Sequence, residues 1–400
     1  MFLENYMKRQ TRIIRTQTEK SQHREHSTPL FLTSSFTFES AEQGKAIFDE
    51  TEAGNLYSRF SNPSVQEFVD RVCILEGAED GIATGTGMAA VFASMAAVLQ
   101  SGDHVVSSKA LFGSSLQILS KILPKWGITC TYIDATAPES DWENAIQSNT
   151  KMIYLETPSN PGLELVDLEM IGRLSKKHNL IFNVDNCFAT PALQTPIDFG
   201  ADLIVHSATK FMDGQGRVLG GIVVGRKDLI KDVRFFCRQT GPSLSPFNAW
   251  VLSKSLETLD LRMERHSSNA FKLAQTLEAS EYIKKVNYPF LPSHKQYELA
   301  ARQMKSGGAI VTIELDGGFE RVSAFMKHIK IASLSSNLGD SRTIITNPAT
   351  TTHNKLSSED RSSLGITDGL IRVSVGLEDV NDLIEDFLNA AKASFEETKG

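Results

Sequence analysis

Two residues in this chain have the types and placement to do electron-sink chemistry together, Asp185 and Lys210. Asp185 closes the apolar run Leu180–Val184, and Lys210 follows Leu203–Val205 after the short polar stretch His206-Ser207-Ala208-Thr209. In parallel α/β sheets, ligands gather at the carboxyl ends of the strands. Two successive strands would then bring a carboxylate and an amine to one rim. A lysine amine can form an imine with an aldehyde. A carboxylate can keep a pyridine nitrogen protonated so that the ring takes up electrons. Pyridoxal 5'-phosphate (PLP) needs that pair. Each residue also has a plainer reading: an Asp after a strand often caps a helix or shapes a turn, and most lysines are solvated surface groups. The neighbours favour chemistry. The hydroxyls of Ser207 and Thr209 flank the lysine and could hold a phosphate, and Gly214, Gly216, Gly220 and Gly221 permit close backbone approach.

A second element is Ala83-Thr84-Gly85-Thr86-Gly87-Met88-Ala89-Ala90, where glycines lead directly into an alanine-rich helix. A helix start offers free N–H groups and the positive end of the helix dipole, which suits a phosphate. The dinucleotide fingerprint is met only in relaxed form. The next strand, His104–Ser107, ends without the acid that would bind a ribose, and no Gly-Lys-Ser/Thr makes a Walker loop. A third element is the strand Leu370-Ile371-Arg372-Val373-Ser374-Val375-Gly376. Alternation puts Arg372 and Ser374 on the face opposite Ile371, Val373 and Val375. Arg372 is either a solvent-facing strand residue or a bidentate clamp for a substrate carboxylate. A polar-aromatic cluster, Tyr57-Ser58-Arg59-Phe60-Ser61-Asn62-Pro63, reads as a turn before a helix that starts near Ser64.

The elements that must position these groups follow from the pattern. Short apolar runs at His104–Ser107, Thr129–Ile133, Met152–Leu155, Ile181–Val184, Leu203–Val205 and Ile222–Val224 predict buried strands. The segments Met88–Leu99, Ser115–Trp126 and Leu168–His178 predict helices between them. That alternation implies a mostly parallel sheet covered on both faces. Helices should continue from Arg226 to about Ala279. A second unit then carries strands at Ala309–Leu315, Ile329–Leu334 and Leu370–Val375, with helices at Phe319–His328 and Asp379–Ala393. Ser333–Ser363 reads as long loops, which are often functional. The expected organisation is an N-terminal arm over 1–63, a large domain over 64–262 and a C-terminal domain over 263–400, with the boundary inside a helical stretch near Arg262.

Composition sets the broad class. The chain has 400 residues, 41% hydrophobic and 22% charged, with net charge −7. Without clustered positive charge, a nucleic-acid or anionic-membrane partner is not expected. No apolar stretch of about eighteen residues or more predicts a membrane span. Met1–Lys20 lacks the apolar core of a signal peptide. The four cysteines, Cys73, Cys130, Cys187 and Cys237, are scattered and form no C-x-x-C pair. A reduced, cytoplasmic setting is the simplest expectation, with no metal site.

Taken in order, these pieces resemble the Cys/Met-metabolism family of PLP enzymes, from about Thr28 to Leu388. Further matches lie at Glu156-Thr157-Pro158-Ser159-Asn160-Pro161, Val184-Asp185-Asn186 and Ser207-Ala208-Thr209-Lys210. The resemblance implies an aspartate-aminotransferase-like PLP fold, with a large, mostly parallel sheet of the seven-stranded type and a smaller α/β C-terminal domain. It implies that Lys210 carries PLP as a Schiff base and shuttles protons, and that Asp185 pairs with the pyridinium. Gly87 and Met88 N–H groups, with Ser207 and Thr209, would hold the phosphate. Asn160 would touch the ring oxygen and Arg372 the substrate carboxylate. Tyr57 and Arg59 would reach into a neighbouring subunit's site, in a homotetramer built as a dimer of dimers with shared active sites.

Within the family, Lys210–Gly221 and Thr240–Trp250 are similar to the O-succinylhomoserine sulfhydrylase branch. That branch makes homocysteine from O-succinylhomoserine and sulfide, a small-molecule γ-replacement in methionine biosynthesis. Three departures from the family pattern bear on this. Phe112 stands where most relatives stack a tyrosine over PLP. Asn337, in Ser335-Ser336-Asn337-Leu338-Gly339-Asp340, stands where lyases carry a serine, and Ser336 where cystathionine enzymes carry an acid. Asn347 stands where a histidine is usual. The first two suit a sulfhydrylase, with Asn337 on the substrate side. O-acetylhomoserine sulfhydrylase, cystathionine γ-synthase and the cystathionine or methionine γ-lyases share one intermediate with it and stay open as alternatives. So does a catalytically silent PLP-binding protein. A nicotinamide dehydrogenase lacks its ribose-binding acid.

Overall fold

The computed structural model describes residues 7–354, 361 and 364–399. Its larger sheet has seven strands: β1 (Asp80–Thr84), β2 (His104–Ser108), β3 (Thr129–Ile133), β4 (Thr150–Glu156), β5 (Ile181–Asp185), β6 (Leu203–His206) and β7 (Gly221–Gly225). They lie in the order β1-β7-β6-β5-β4-β2-β3. Only β7 runs against the rest. β4 and β6 are buried almost throughout because helices cover both sheet faces, which is why they read as continuous apolar runs. The expected large, mostly parallel sheet is therefore present.

The smaller sheet has five strands: β8 (Lys285–Asn287), β9 (Ile310–Glu314), β10 (Ser333–Leu334), β11 (Ile344–Thr346) and β12 (Leu370–Ser374). The helix Leu259–Glu278 belongs to both units. Leu259 and Met263 pack into the larger core, whereas Leu273, Ala274 and Leu277 pack into the smaller one. Residue 262, the expected boundary, falls inside this helix.

Several elements differ from expectation for identifiable reasons. Ser115–Trp126 is not one helix. An α-helical turn, Gly113–Gln117, runs into a π-helical turn, Ile118–Ile122, and then a 3-10 turn, Leu123–Trp126. Pro124 has no N–H to donate, which breaks the regular ladder. The strand expected over Ile329–Leu334 shrinks to Ser333–Leu334. The N–H groups of Lys330 and Ile331 are taken by the Asp386 carboxylate and so cannot join a ladder. The long loop expected over Ser333–Ser363 contains β11; its residues 355–360 and 362–363 lie outside the described residues. The N-terminal arm carries two short helices, Arg9–Arg15 and Ala41–Phe48, between stretches without regular structure. β1 and β8 were not expected. The first has a glycine in its interior and the second spans three residues, too few for alternation to show.

No helix among the described residues is long and apolar enough to cross a membrane, and no cluster of three or more metal-ligating side chains occurs among them.

Candidate active site

β1, β4, β5 and β6 all run in the same direction, so their carboxyl ends share one edge. A cavity of about 460 Å³ opens there. Asp185 and Glu156 enter it from the ends of β5 and β4, and Ser207, Thr209 and Lys210 from the segment after β6. Gly87 and Met88 enter from the first turn of the helix Gly87–Ala96, and Phe112 and Asn160 from connections. The smaller domain closes the cavity with Asn337 and with Arg372 of β12. Ten of the twelve residues singled out in the sequence therefore converge. Tyr57 and Arg59 do not. Tyr57 is 44% exposed, and the Arg59 guanidinium stacks 4.5 Å from the Phe60 ring centroid and donates to the Arg238 carbonyl.

The helix start is built for close approach. A Cβ on Gly87 would stand 2.5 Å from the Ser207 Cβ, so only glycine lets the loop after β6 sit against the first helical turn. The Thr86 hydroxyl caps that helix by accepting the Ala89 N–H at 3.1 Å. Gly87, Met88, Ser207 and Thr209 thus line the cavity together, and the Thr209 hydroxyl also donates to the Gly220 carbonyl at 3.2 Å and accepts the Gly220 N–H at 3.1 Å.

Lys210 Nζ donates to Asn337 Oδ1 at 2.6 Å, a bond between residues 127 apart in sequence. Burial pulls this amine below the ordinary lysine range. Arg372, 1% exposed, donates from Nη1 to Asn160 Oδ1 at 3.2 Å. Its Nη2 donates to the Ser336 and Asn337 carbonyls at 3.0 Å each. Its Nε has no hydrogen-bond partner, and no carboxylate pairs with it among the described residues. Burial draws Arg372 down to about 10. A desolvated guanidinium with no anion beside it is an anion site in waiting.

Burial also raises Asp185 to about 6, against the opposing Cys187 N–H bond at 3.0 Å and the nearby His206. The folded chain therefore holds this proton more tightly than the unfolded chain between pH of about 4 and about 6. The cost of ionising Asp185 is felt fully above that window and is relieved as pH falls through it. Without cofactor, Asp185→Asn should thus gain stability relative to wild type as pH rises from about 4.5 to about 7.5. Melting temperatures of both cofactor-free proteins across that range check this, and a pH-independent difference would contradict it.

Some residues of the cavity were not picked out individually in the sequence. In the sequence Glu156 stands out only as part of the motif Glu156–Pro161, yet it ends β4 just as Asp185 ends β5, and that shared position is the available signal. Cys187 lines the wall beside Asp185, its thiol pushed up strongly by burial. Behind Asp185, His206 Nε2 lies 2.6 Å from Glu76 Oε1, which also accepts from Asn186 Nδ2 at 2.9 Å. Nothing local in the sequence pairs Glu76 with His206, which is 130 residues away.

The structure also gives Asn347 a role. Its Nδ2 donates to the carbonyls of Asp368 and Leu370 at 3.1 and 2.7 Å, and its Oδ1 accepts the Thr350 N–H at 3.0 Å. It pins the loop that carries Thr352 of the cavity wall to the start of β12. Asn347→Ala should destabilise the protein by about 1–3 kcal/mol, the cost of buried backbone groups left unpaired. Chemical denaturation measures this, and an unchanged midpoint would exclude the role.

The donor set suits PLP: helix-start N–H groups and the Ser207 hydroxyl for a phosphate, an acid for the ring nitrogen, and an amine for the aldehyde. A family model for Cys/Met metabolism PLP-dependent enzymes matches residues 10–392. The chain belongs to that family. As a member of the Cys/Met metabolism enzymes it uses PLP, the cofactor expected from Asp185 and Lys210. It is 45% identical to an O-succinylhomoserine sulfhydrylase of Pseudomonas aeruginosa, across 96% of this chain and 95% of that one. It is 41% identical to an L-methionine γ-lyase of Fusobacterium nucleatum subsp. polymorphum, across 94% and 96%. A solved structure assigned as an O-acetylhomoserine (thiol)-lyase of Campylobacter jejuni superposes with a TM-score of 0.92 at 33% identity, covering 96% of this chain and all of that one. That neighbour holds N'-pyridoxyl-lysine-5'-monophosphate.

Proposed function

We propose that this enzyme catalyses γ-replacement, forming homocysteine and succinate from O-succinylhomoserine and sulfide. The observation that carries this is the substrate-side wall. Ser336, Asn337 and Leu338 present no acidic side chain there to grip the ammonium group of a second amino acid. Such a wall fits a small nucleophile better than cysteine. The resemblance to O-succinylhomoserine sulfhydrylases, at 45% and 42% identity, points the same way.

PLP, when bound, supplies an electron sink that makes the Cα and Cβ protons of an amino acid removable. The chain's own groups do the rest. Lys210 would hold the cofactor covalently until the substrate amine displaces it, and the freed amine would move protons at substrate Cα and Cβ; burial favours its neutral form. Asn337 orients the amine through the 2.6 Å bond. Asp185 would accept the ring N–H, and a cationic partner there would offset the penalty of its burial. Gly87, Met88, Ser207 and Thr209 would hold the phosphate at the helix start. Asn160 would offer its amide N–H to the ring oxygen, since its Oδ1 serves Arg372. Phe112 gives an aromatic wall but, lacking a phenol, moves no proton. Arg372 binds the α-carboxylate. Loss of the Cβ proton would let the Cγ–O bond of the ester break and succinate leave; hydrosulfide would then add at Cγ, with a proton returned to Cβ. Tyr57 and Arg59 serve a neighbouring subunit's cavity, in a homotetramer of two dimers with shared sites. The exposure of Tyr57 supports that reading.

The test is a product assay with O-succinylhomoserine and O-acetylhomoserine, each with sulfide or with cysteine, and with methionine alone. Homocysteine should form fastest from the succinyl ester and sulfide. Faster cystathionine formation, or 2-oxobutyrate from methionine as the main product, would replace this reading with a cystathionine γ-synthase or a γ-lyase. No turnover of any of them would indicate a silent PLP-binding protein.

A further inference from the structure

Glu156 is an ionisable group inside the cavity that the proposed reaction does not use. It ends β4 in direct register with Asp185 of β5, so the two side chains leave the same face of the sheet. Both line the cavity, and Glu156 is only 4% exposed. Two carboxylates this close in a dry site cannot both ionise cheaply. Burial and then the Asp185 charge push Glu156 well above the carboxylate range, although the Phe112 and Asn160 backbones pull the other way. Burial beside Asp185 thus favours the neutral form of Glu156.

A neutral carboxyl can still accept a hydrogen bond. Glu156 Oε2 accepts the Phe112 N–H at 2.8 Å, across 44 residues of chain. Phe112 is the residue at which the turn into the helix Gly113–Gln117 begins, and its side chain makes no capping bond there. Its backbone is therefore anchored at this point by Glu156, while its ring forms part of the cavity wall.

We propose that Glu156 is a positioning residue, which holds the Phe112 backbone and so sets the aromatic wall against which the PLP ring seats. The proposal rests on the reading that Lys210 carries PLP in this cavity. An acceptor oxygen is what the role needs, not a negative charge, so glutamine should replace glutamate while alanine should not.

The experiment compares wild type, E156Q, E156A and E156D as purified holoenzymes. Three properties are measured: the visible circular-dichroism band of the bound cofactor, the PLP dissociation constant, and kcat and KM. E156Q should keep the wild-type band and PLP affinity. E156A should show a diminished or inverted band, PLP binding weakened about tenfold, the scale of one buried donor left unpaired, and a fall in kcat larger than any rise in KM. E156D, whose shorter arm does not reach the Phe112 N–H, should follow E156A, and it carries the comparison if E156A does not fold. An E156A or E156D band and PLP affinity equal to wild type would overturn the proposal. So would an E156Q as impaired as E156A, since the charge would then be what matters. Borohydride reduction of wild type separates this from the underlying reading. Cofactor fixed on Lys210 together with an unaltered E156A or E156D overturns Glu156 alone, whereas no label on Lys210 overturns both.

Discussion

Lys210→Ala should abolish covalent attachment of PLP and lower kcat by about 10²–10⁴-fold, the range for loss of a positioned acid–base group. Lys210 stands after β6 with its amine bound to Asn337, inside the cavity and not in solvent. Its lowered pKa comes first from burial, and the Arg372 charge acts in the same direction. Nothing else among the described residues offers an amine to that cavity, so no neighbour can substitute. Borohydride reduction followed by peptide mapping should locate the cofactor on Lys210 in wild type and on no lysine in the variant. Stopped-flow proton exchange at substrate Cα should show the lost base directly. Exchange at the wild-type rate would remove Lys210 from the mechanism.

Arg372→Lys should raise KM for the amino-acid substrate roughly 10- to 100-fold with a smaller change in kcat, as expected when charge-assisted bonds made equally in ground and transition states are lost. The site is shaped for a guanidinium. Asn160 Oδ1 takes one arm and the Ser336 and Asn337 carbonyls take the other, which leaves Nε unpaired. An ammonium keeps the charge but cannot fork across three acceptors and still meet a carboxylate bidentately. Titration with norleucine, which has no γ leaving group, isolates binding from chemistry. A dissociation constant unchanged by the substitution would show that the carboxylate sits elsewhere.

Much of this site was legible before folding was considered. Strand-end placement identified Asp185 and Lys210, and glycines before an apolar run identified the helix start at Gly87. These signals are local: a run of buried residues must end where the sheet ends, and a glycine is needed where another loop crosses a helix start. Ordered motifs added Asn160, Asn337 and Arg372. Less legible was what lies between elements. Arg372 had two readings from alternation alone, and its 1% exposure excludes the solvent-facing one. Asn347 had no account until its bonds to Asp368 and Leu370 were seen. The Ile329–Leu334 strand failed because an Asp386 side chain, more than fifty residues on, competes for its N–H groups.

By itself, the order of residues determined which chemical groups stand at the ends of which elements, because the periods of strand and helix are set by nearest neighbours along the chain. Tertiary structure alone decided who meets whom: Lys210 with Asn337, Arg372 with Asn160, Glu156 with Phe112. Those pairings depend on two cores sharing one long helix, and on a sheet order in which β4 and β5 lie side by side. Contacts made by packing between residues up to 212 positions apart leave no periodic trace in the chain, since burial selects them for shape and polarity and not for spacing.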